Sequence, residues 1–207
     1  MYPIVLNLKG RSCLVVGGGA VATRKVKSLV EAEATVTVVA TDISPELEEM
    51  ATIACLEILR QEYQPAILSG RFLVIAATSD DRLNACLARD ARQAGVLVNV
   101  VDQPDLCDFF VPAIVTRGAL TLAVSTSGEC PSLASALRRR LESEFGSEYA
   151  RVTYILGDVR RMLKKHEPDG ARRRQLLILA AGLDLAGRLR AGQELSAADI
   201  VAEVSKA

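Results

Sequence analysis

Ser12-Cys13-Leu14-Val15-Val16-Gly17-Gly18-Gly19-Ala20-Val21-Ala22 decides the fold, and Arg24 and Lys25 follow just behind it. Four apolar residues, Cys13 to Val16, end abruptly in three glycines. Gly17, Gly19 and Ala22 stand in the G-x-G-x-x-G/A spacing of a dinucleotide-binding turn. Gly17 lets the chain turn sharply off a strand, and Gly19 lets backbone approach a pyrophosphate with no Cβ between them. Ala22 is small enough for a helix to lie close on a sheet. The helix that follows brings unpaired N–H groups and a positive dipole end to the phosphates. A strand before the turn and a helical pattern after it (Val21, Leu29, Val30) supply the context the spacing needs.

Outward from this turn the chain alternates. Ala20 to Glu31 reads as a helix and Thr35 to Val39 as a second, largely β-branched strand. Ser44 and Pro45 read as N-cap and first residue of a helix from Glu46 to Cys55. Leu56 to Leu59 is a short strand, Phe72 to Ala77 a longer one, Arg82 to Gln93 a helix and Val96 to Val98 a fifth strand. Strands alternating with helices predict an α/β class, a Rossmann-type doubly wound parallel sheet. Ligands in such sheets lie at the carboxyl ends of the strands. Thr78, just past one of those ends, is an expected cofactor contact. The second strand ends in Val39-Ala40-Thr41 with Asp42 arriving late, so the usual ribose-binding acid is missing or displaced. No arginine stands there for a 2′-phosphate, and the expected cofactor is therefore NAD.

The rhythm then changes. Ala113 to Thr116 and Ala119 to Ser125 flank Arg117-Gly118 as a hairpin would. Helical patterns follow at Pro131 to Glu144, Tyr149 to Lys165, Arg172 to Leu183 and Ser196 to Val204. The expected division is 1–112 for the dinucleotide domain, 113–147 for a hairpin and helix, and 148–207 for a helical region. A hairpin with loose helices is a small core to fold alone, which predicts a homodimer built on the hairpin and the helix from Pro131.

Composition narrows the classes. Half of the 207 residues are apolar, so a core is available, and no apolar run reaches the length of a membrane span. No signal peptide is read at the N-terminus. Five scattered cysteines without a C-x-x-C favour reduced, cytoplasmic thiols over disulfides or zinc. The zero net charge hides an asymmetry: residues 1–113 hold 10 Lys/Arg against 14 Asp/Glu, and the remainder 15 against 11. The basic part reads either as solvated helix faces or as a field for a small anion. Four Phe and four Tyr with a neutral total argue against nucleic acid.

Candidate chemistry is sparse. His166, the single histidine, reads as an exposed helix end, and no metal-ligand set is apparent. Asp102 follows a strand's carboxyl end, where a carboxylate can exchange a proton beside a hydride transfer; it also reads as a turn residue before Pro104. Ser125-Thr126-Ser127-Gly128 leads into a helix with proline near its start, either an N-cap or an anion-ready terminus.

Taken together, Tyr2-Pro3-Ile4, CLVVGGGAVATRKV, AATSDDRLN, NVVDQPDLCDFFVPAIV and RGALTLAVSTSGECPSLASALRRRLE resemble the precorrin-2 dehydrogenase/sirohydrochlorin ferrochelatase family over about residues 1–145. The resemblance implies NAD-dependent oxidation of precorrin-2 to sirohydrochlorin on a homodimer. In bifunctional members Fe²⁺ then enters as a substrate. It implies Asp102, the aspartate of NVVD, as a shared acid/base, and cofactor contacts at Ala20, Val21, Thr41 and Asp42. It implies substrate contacts at the Ser125–Gly128 loop, where Thr126 replaces a serine found in relatives. Two rivals remain: an NAD-sensing regulatory module without catalysis, which also carries a stretch like that from Ala77-Thr78 to Asn84, and a generic small-molecule reductase.

Overall fold

The computed structural model describes residues 1–54 and 56–206; the expected helix end at Cys55 lies outside the described residues. The chain forms two units, Met1–Val111 and Pro112–Ala207.

In the first unit the elements run β1 (Ser12–Val16), α1 (Ala20–Glu31), β2 (Thr35–Val39), α2 (Pro45–Ala54), β3 (Glu57–Leu59), β4 (Leu73–Ala76), α3 (Asp81–Gln93) and β5 (Leu97–Val100). The sheet is parallel throughout, in the order β3-β2-β1-β4-β5. Its centre is apolar on both faces, as a sheet covered by helices on each side requires. Cys13 and Val15 join a cluster with Ala22, Val26 and Leu29 of α1 and Leu47 of α2. Leu14 and Val16 point the other way and meet Leu87, Ala88 and Ala91 of α3. Alternation within one apolar strand thus feeds two cores.

Some boundaries differ from the sequence reading. Phe72 and Ala77 fall outside β4, and Asn99 and Val100 continue the fifth strand beyond Val98. α3 starts at Asp81 because the Asp80 carboxylate accepts from the N–H groups of Arg82 and Leu83. Ser44 performs the expected cap of α2, its Oγ accepting from Leu47 N at 3.3 Å.

The second unit opens with a two-stranded antiparallel sheet, β6 (Ala113–Arg117) and β7 (Leu120–Val124). Its face carrying Val115 is buried and the face carrying Ile114 is open, 3% against 47% exposed. Then come α4 (Pro131–Glu144), α5 (Glu148–His166), α6 (Gly170–Gly182), α7 (Leu185–Arg190) and α8 (Ala197–Val204). α7 was not foreseen. α6 begins at Gly170, ahead of the expected Arg172, because Asp169 caps it by accepting from Ala171 N at 2.9 Å. The helices are not loose: Val152, Ile155, Val159 and Leu163 of α5 form a core with Leu176, Leu185, Ile200 and Val204. The hairpin tip is seated on α5. Gly118 has φ +59°, and a Cβ there would lie 3.0 Å from the Ala150 Cβ. Among the described residues, no helix is long and apolar enough to cross a membrane.

Candidate active site

A cleft of about 1100 Å³ opens at the carboxyl ends of the parallel strands. Gly17, Gly19, Ala20, Val21, Thr41, Asp42, Thr78 and Asp102 all line it. The Ser125–Gly128 loop belongs to the second unit and connects β7 to α4.

The glycine turn is fixed by its neighbours. Gly17 has φ +125°, and a Cβ on it would stand 2.3 Å from the Ala77 carbonyl oxygen. Gly18, the glycine outside the fingerprint, is packed more tightly still: a Cβ would come within 1.9 Å of the Asp42 carbonyl oxygen. Ser44 N also donates to Gly18 O at 2.9 Å, so the turns after β1 and β2 are held together. Nothing lies within 4 Å of a Cβ built on Gly19. Gly19 is the N-cap of α1, and no acidic residue stands in that helix's first turn. Among the described residues, the N–H groups of Gly18, Gly19, Thr78 and Ser79 have no hydrogen-bond acceptor. Open donors at a bare helix start fit a pyrophosphate.

Every charged residue lining the cleft is acidic: Asp42, Glu62, Asp80, Asp81 and Asp102. A positively charged nicotinamide ring is favoured in such a field, whereas a 2′-phosphate would meet repulsion and find no cation among the described lining residues. At the end of β2 the Thr41 hydroxyl donates to the Asp42 carboxylate at 3.1 Å.

Asp102 is exposed and adopts φ +60°, a left-handed conformation that aspartate and asparagine tolerate better than most side chains. The turn around it is held from several sides. Val101 N donates to Ala76 O at 3.0 Å, the Cys107 thiol to Gln103 O at 3.4 Å, and Gln103 Nε2 to the Asp81 carboxylate at 2.6 Å. Lys25 of α1 lies near enough to feel Asp102. Burial and the neighbouring Arg24 lower the Lys25 pKa, and Asp102 and Cys107 pull part of that shift back.

The Thr78 hydroxyl donates to Asn84 Oδ1 at 2.8 Å and accepts from Asp80 N at 3.2 Å. What Thr78 leaves open to the cleft is its backbone N–H. Asn84 and Gly18 have no role in the sequence reading. The spacing from Thr78 to Asn84 was visible, but not that Asn84 points inward.

In the second unit, Ser127 and Gly128 both have positive φ, +53° and +89°. Thr126 Oγ1 accepts from Cys130 N at 3.1 Å and shapes the entry to α4. The Cys130 thiol pKa is lowered by the Ser132 hydroxyl and the Leu133 N–H beside it. Several basic residues are neutralised locally, Arg138 by Glu142 and Arg161 by Asp158. Arg139, Arg140, Arg160, Lys164, Lys165 and Arg174 have no carboxylate partner among the described residues. His166 ends α5 and is exposed.

Comparison with known proteins gives a consistent picture. The family model NAD_binding_7, described as "Putative NAD(P)-binding", matches residues 4–113. A siroheme synthase of Methylobacillus flagellatus is 42% identical over 172 residues, covering 83% of this chain and 37% of the relative. A siroheme synthase of Azotobacter vinelandii is 41% identical over 195 residues, covering 94% and 42%. The chain thus spans about two fifths of the length of these curated relatives. A solved structure titled "SirC, precorrin-2 dehydrogenase" superposes with a TM-score of 0.76 at 29% identity and covers both chains completely.

Proposed function

We propose, from the membership of this chain in the NAD_binding_7 family of NAD(P)-binding proteins, that it is an NAD-dependent dehydrogenase oxidising precorrin-2 to sirohydrochlorin in siroheme biosynthesis. One observation carries the reading. A carboxylate, Asp102, shares a cleft with the open N–H groups of a glycine turn at the carboxyl ends of a parallel sheet. The full-length likeness to a precorrin-2 dehydrogenase supports the substrate.

Bound in the cleft, the cofactor supplies the hydride acceptor. The chain's own residues do the rest. Gly18 and Gly19 with the start of α1 hold the pyrophosphate, and Thr41 and Asp42 bound the ribose at the end of β2. The acidic lining favours NAD over NADP. Asp102 takes the proton that leaves precorrin-2 when the hydride departs. Within the second unit, the Ser125–Gly128 loop and the unpaired cations of α4, α5 and α6 suit, by their own chemistry, the carboxylates of a tetrapyrrole. The thiols Cys13, Cys86, Cys107 and Cys130 are free, which suits a reducing cytoplasm.

We further propose a homodimer. β6 and β7 form a two-stranded sheet with an open apolar residue, Ile114, while Leu133 and Leu137 are exposed four residues apart on α4, at 49% and 38%. A second copy of this chain would cover both.

The test is anaerobic incubation with precorrin-2 and NAD⁺, followed by Fe²⁺. NADH formation together with sirohydrochlorin is the expected result. Siroheme after the iron addition would assign the second activity to this chain too. NAD⁺ binding without turnover would leave a regulatory binding module and refute the enzyme.

A further inference from the structure

Asn84 stands in a place where an amide is costly. It lies on the α3 stripe whose later members, Leu87, Ala88 and Ala91, are completely buried, and it is itself 2% exposed. A polar side chain on such a stripe is tolerated only when its hydrogen bonds are made. Both ends of the Asn84 amide are satisfied by a single residue. Oδ1 accepts the Thr78 hydroxyl at 2.8 Å, and Nδ2 donates to the Thr78 carbonyl at 3.1 Å. The loop is closed from the other side as well, because Asp80 N donates to Thr78 Oγ1 and Asn84 N to Asp80 O at 2.9 Å. Every hydrogen-bonding group of Thr78 is therefore engaged except its backbone N–H, and that N–H, like that of Ser79, has no acceptor among the described residues.

We propose that Asn84 is a positioning residue for the dinucleotide. It clamps Thr78 so that the Thr78 and Ser79 N–H groups stay open along the cleft. The clamp rests on the reading of the cleft as a dinucleotide site. It adds a prediction that this reading does not contain: affinity depends on the nearly buried Asn84 amide in the cleft wall through its grip on Thr78. An apolar residue would fill the same space on α3, but it would leave the Thr78 hydroxyl and carbonyl free to turn and compete for the neighbouring N–H groups.

The experiment is calorimetric titration of the full chain with NAD⁺, beside thermal melts of the same preparations. Asn84→Ala is expected to weaken NAD⁺ binding about tenfold at a temperature where the variant is folded, the effect of losing two hydrogen bonds. Thr78→Val removes the partner hydroxyl and is expected to weaken binding in the same direction. Thr78→Ser should recover most of that loss, and the double variant Asn84→Ala/Thr78→Val should bind no worse than the weaker single one. A folded Asn84→Ala protein with wild-type affinity and only a lower melting temperature overturns the proposal and leaves Asn84 a packing residue. Losses that multiply in the double variant also overturn it. If Asn84→Ala does not fold, the Thr78 pair decides: equal affinity in Thr78→Val and Thr78→Ser refutes the clamp. A wild-type chain that gives no heat with NAD⁺ refutes the cofactor site itself, and the clamp with it.

Discussion

Replacing Asp102 by asparagine separates chemistry from architecture unusually well, because the structure limits what else the change can do. The residue sits at φ +60°. Alanine there would carry the left-handed penalty of about 1–2 kcal/mol, whereas asparagine adopts the conformation readily. The Asp102 carboxylate is exposed and forms no ion pair among the described residues. Asp102→Asn is therefore expected to melt close to the wild type and to bind NAD⁺ normally. On its proposed role as a positioned base, Asp102 is expected to be worth roughly 10²–10⁴ in rate, or about 2.7–5.4 kcal/mol of barrier. Steady-state NADH formation from precorrin-2 at saturating NAD⁺ should fall by that factor, with protein concentration corrected for the folded fraction. Asp102→Ala should show the same rate loss plus a lower melting temperature. Undiminished turnover in Asp102→Asn would remove Asp102 from catalysis. Should the wild type prove to insert iron as well, loss of that reaction alone in Asp102→Asn would divide the two between different residues.

Gly18→Ala should destabilise the chain in thermal melts, since its Cβ meets the Asp42 carbonyl oxygen at 1.9 Å. Gly19→Asp should melt normally and lose NAD⁺ binding, because there is space for the side chain but its charge meets the pyrophosphate; retained affinity would displace the site. Burial makes the unfolded chain hold the Lys25 proton more tightly than the folded one, so stability should rise with pH between the lowered folded pKa and 10.5, be lost as pH falls through that window, and be independent of this residue's titration below it. Lys25→Met should flatten this rise in urea titrations run across pH. Light scattering should give twice the chain mass at micromolar concentration, and Ile114→Asp should shift it toward the monomer; a wild-type monomer throughout that range would refute the dimer.

The parallel sheet was legible because its strands are buried on both faces and so appear as unbroken apolar runs, as at Cys13 to Val16 and Leu73 to Ala76. Helix starts were less so, since Asp80 and Asp169 act as caps only once the chain has turned there. α7 escaped because six residues hold too little of a helical period, and its start depends on Asp184 accepting from Gly187 N at 2.8 Å. The separate core of α5 to α8 depends on which helices meet, although the spacing of Val152, Ile155, Val159 and Leu163 was plain. Within the cleft, Gly17 and Gly19 were visible as spacing. The constraint on Gly18 comes from a carbonyl on a different turn, and the role of Asn84 from its inward direction. The left-handed backbone of Asp102 leaves no mark in composition. Each is a tertiary fact, invisible along a line.

The register of the sheet has a kinetic consequence. β1 pairs with β4 from Cys13↔Leu73 to Val16↔Ala76, and β4 pairs with β5. The cleft lies beyond the ends of these strands, so it does not exist until contacts distant in the chain have closed. Parallel pairing of this kind carries a loop-closure cost before it is rewarded, which makes such sheets slow to form. A nascent chain with only β1, α1 and β2 has the glycine turn but not the Ala77–Ser79 wall across from it. NAD⁺ should accordingly slow global unfolding while leaving the refolding rate unchanged, because it has nothing to grip until the slowest step is over.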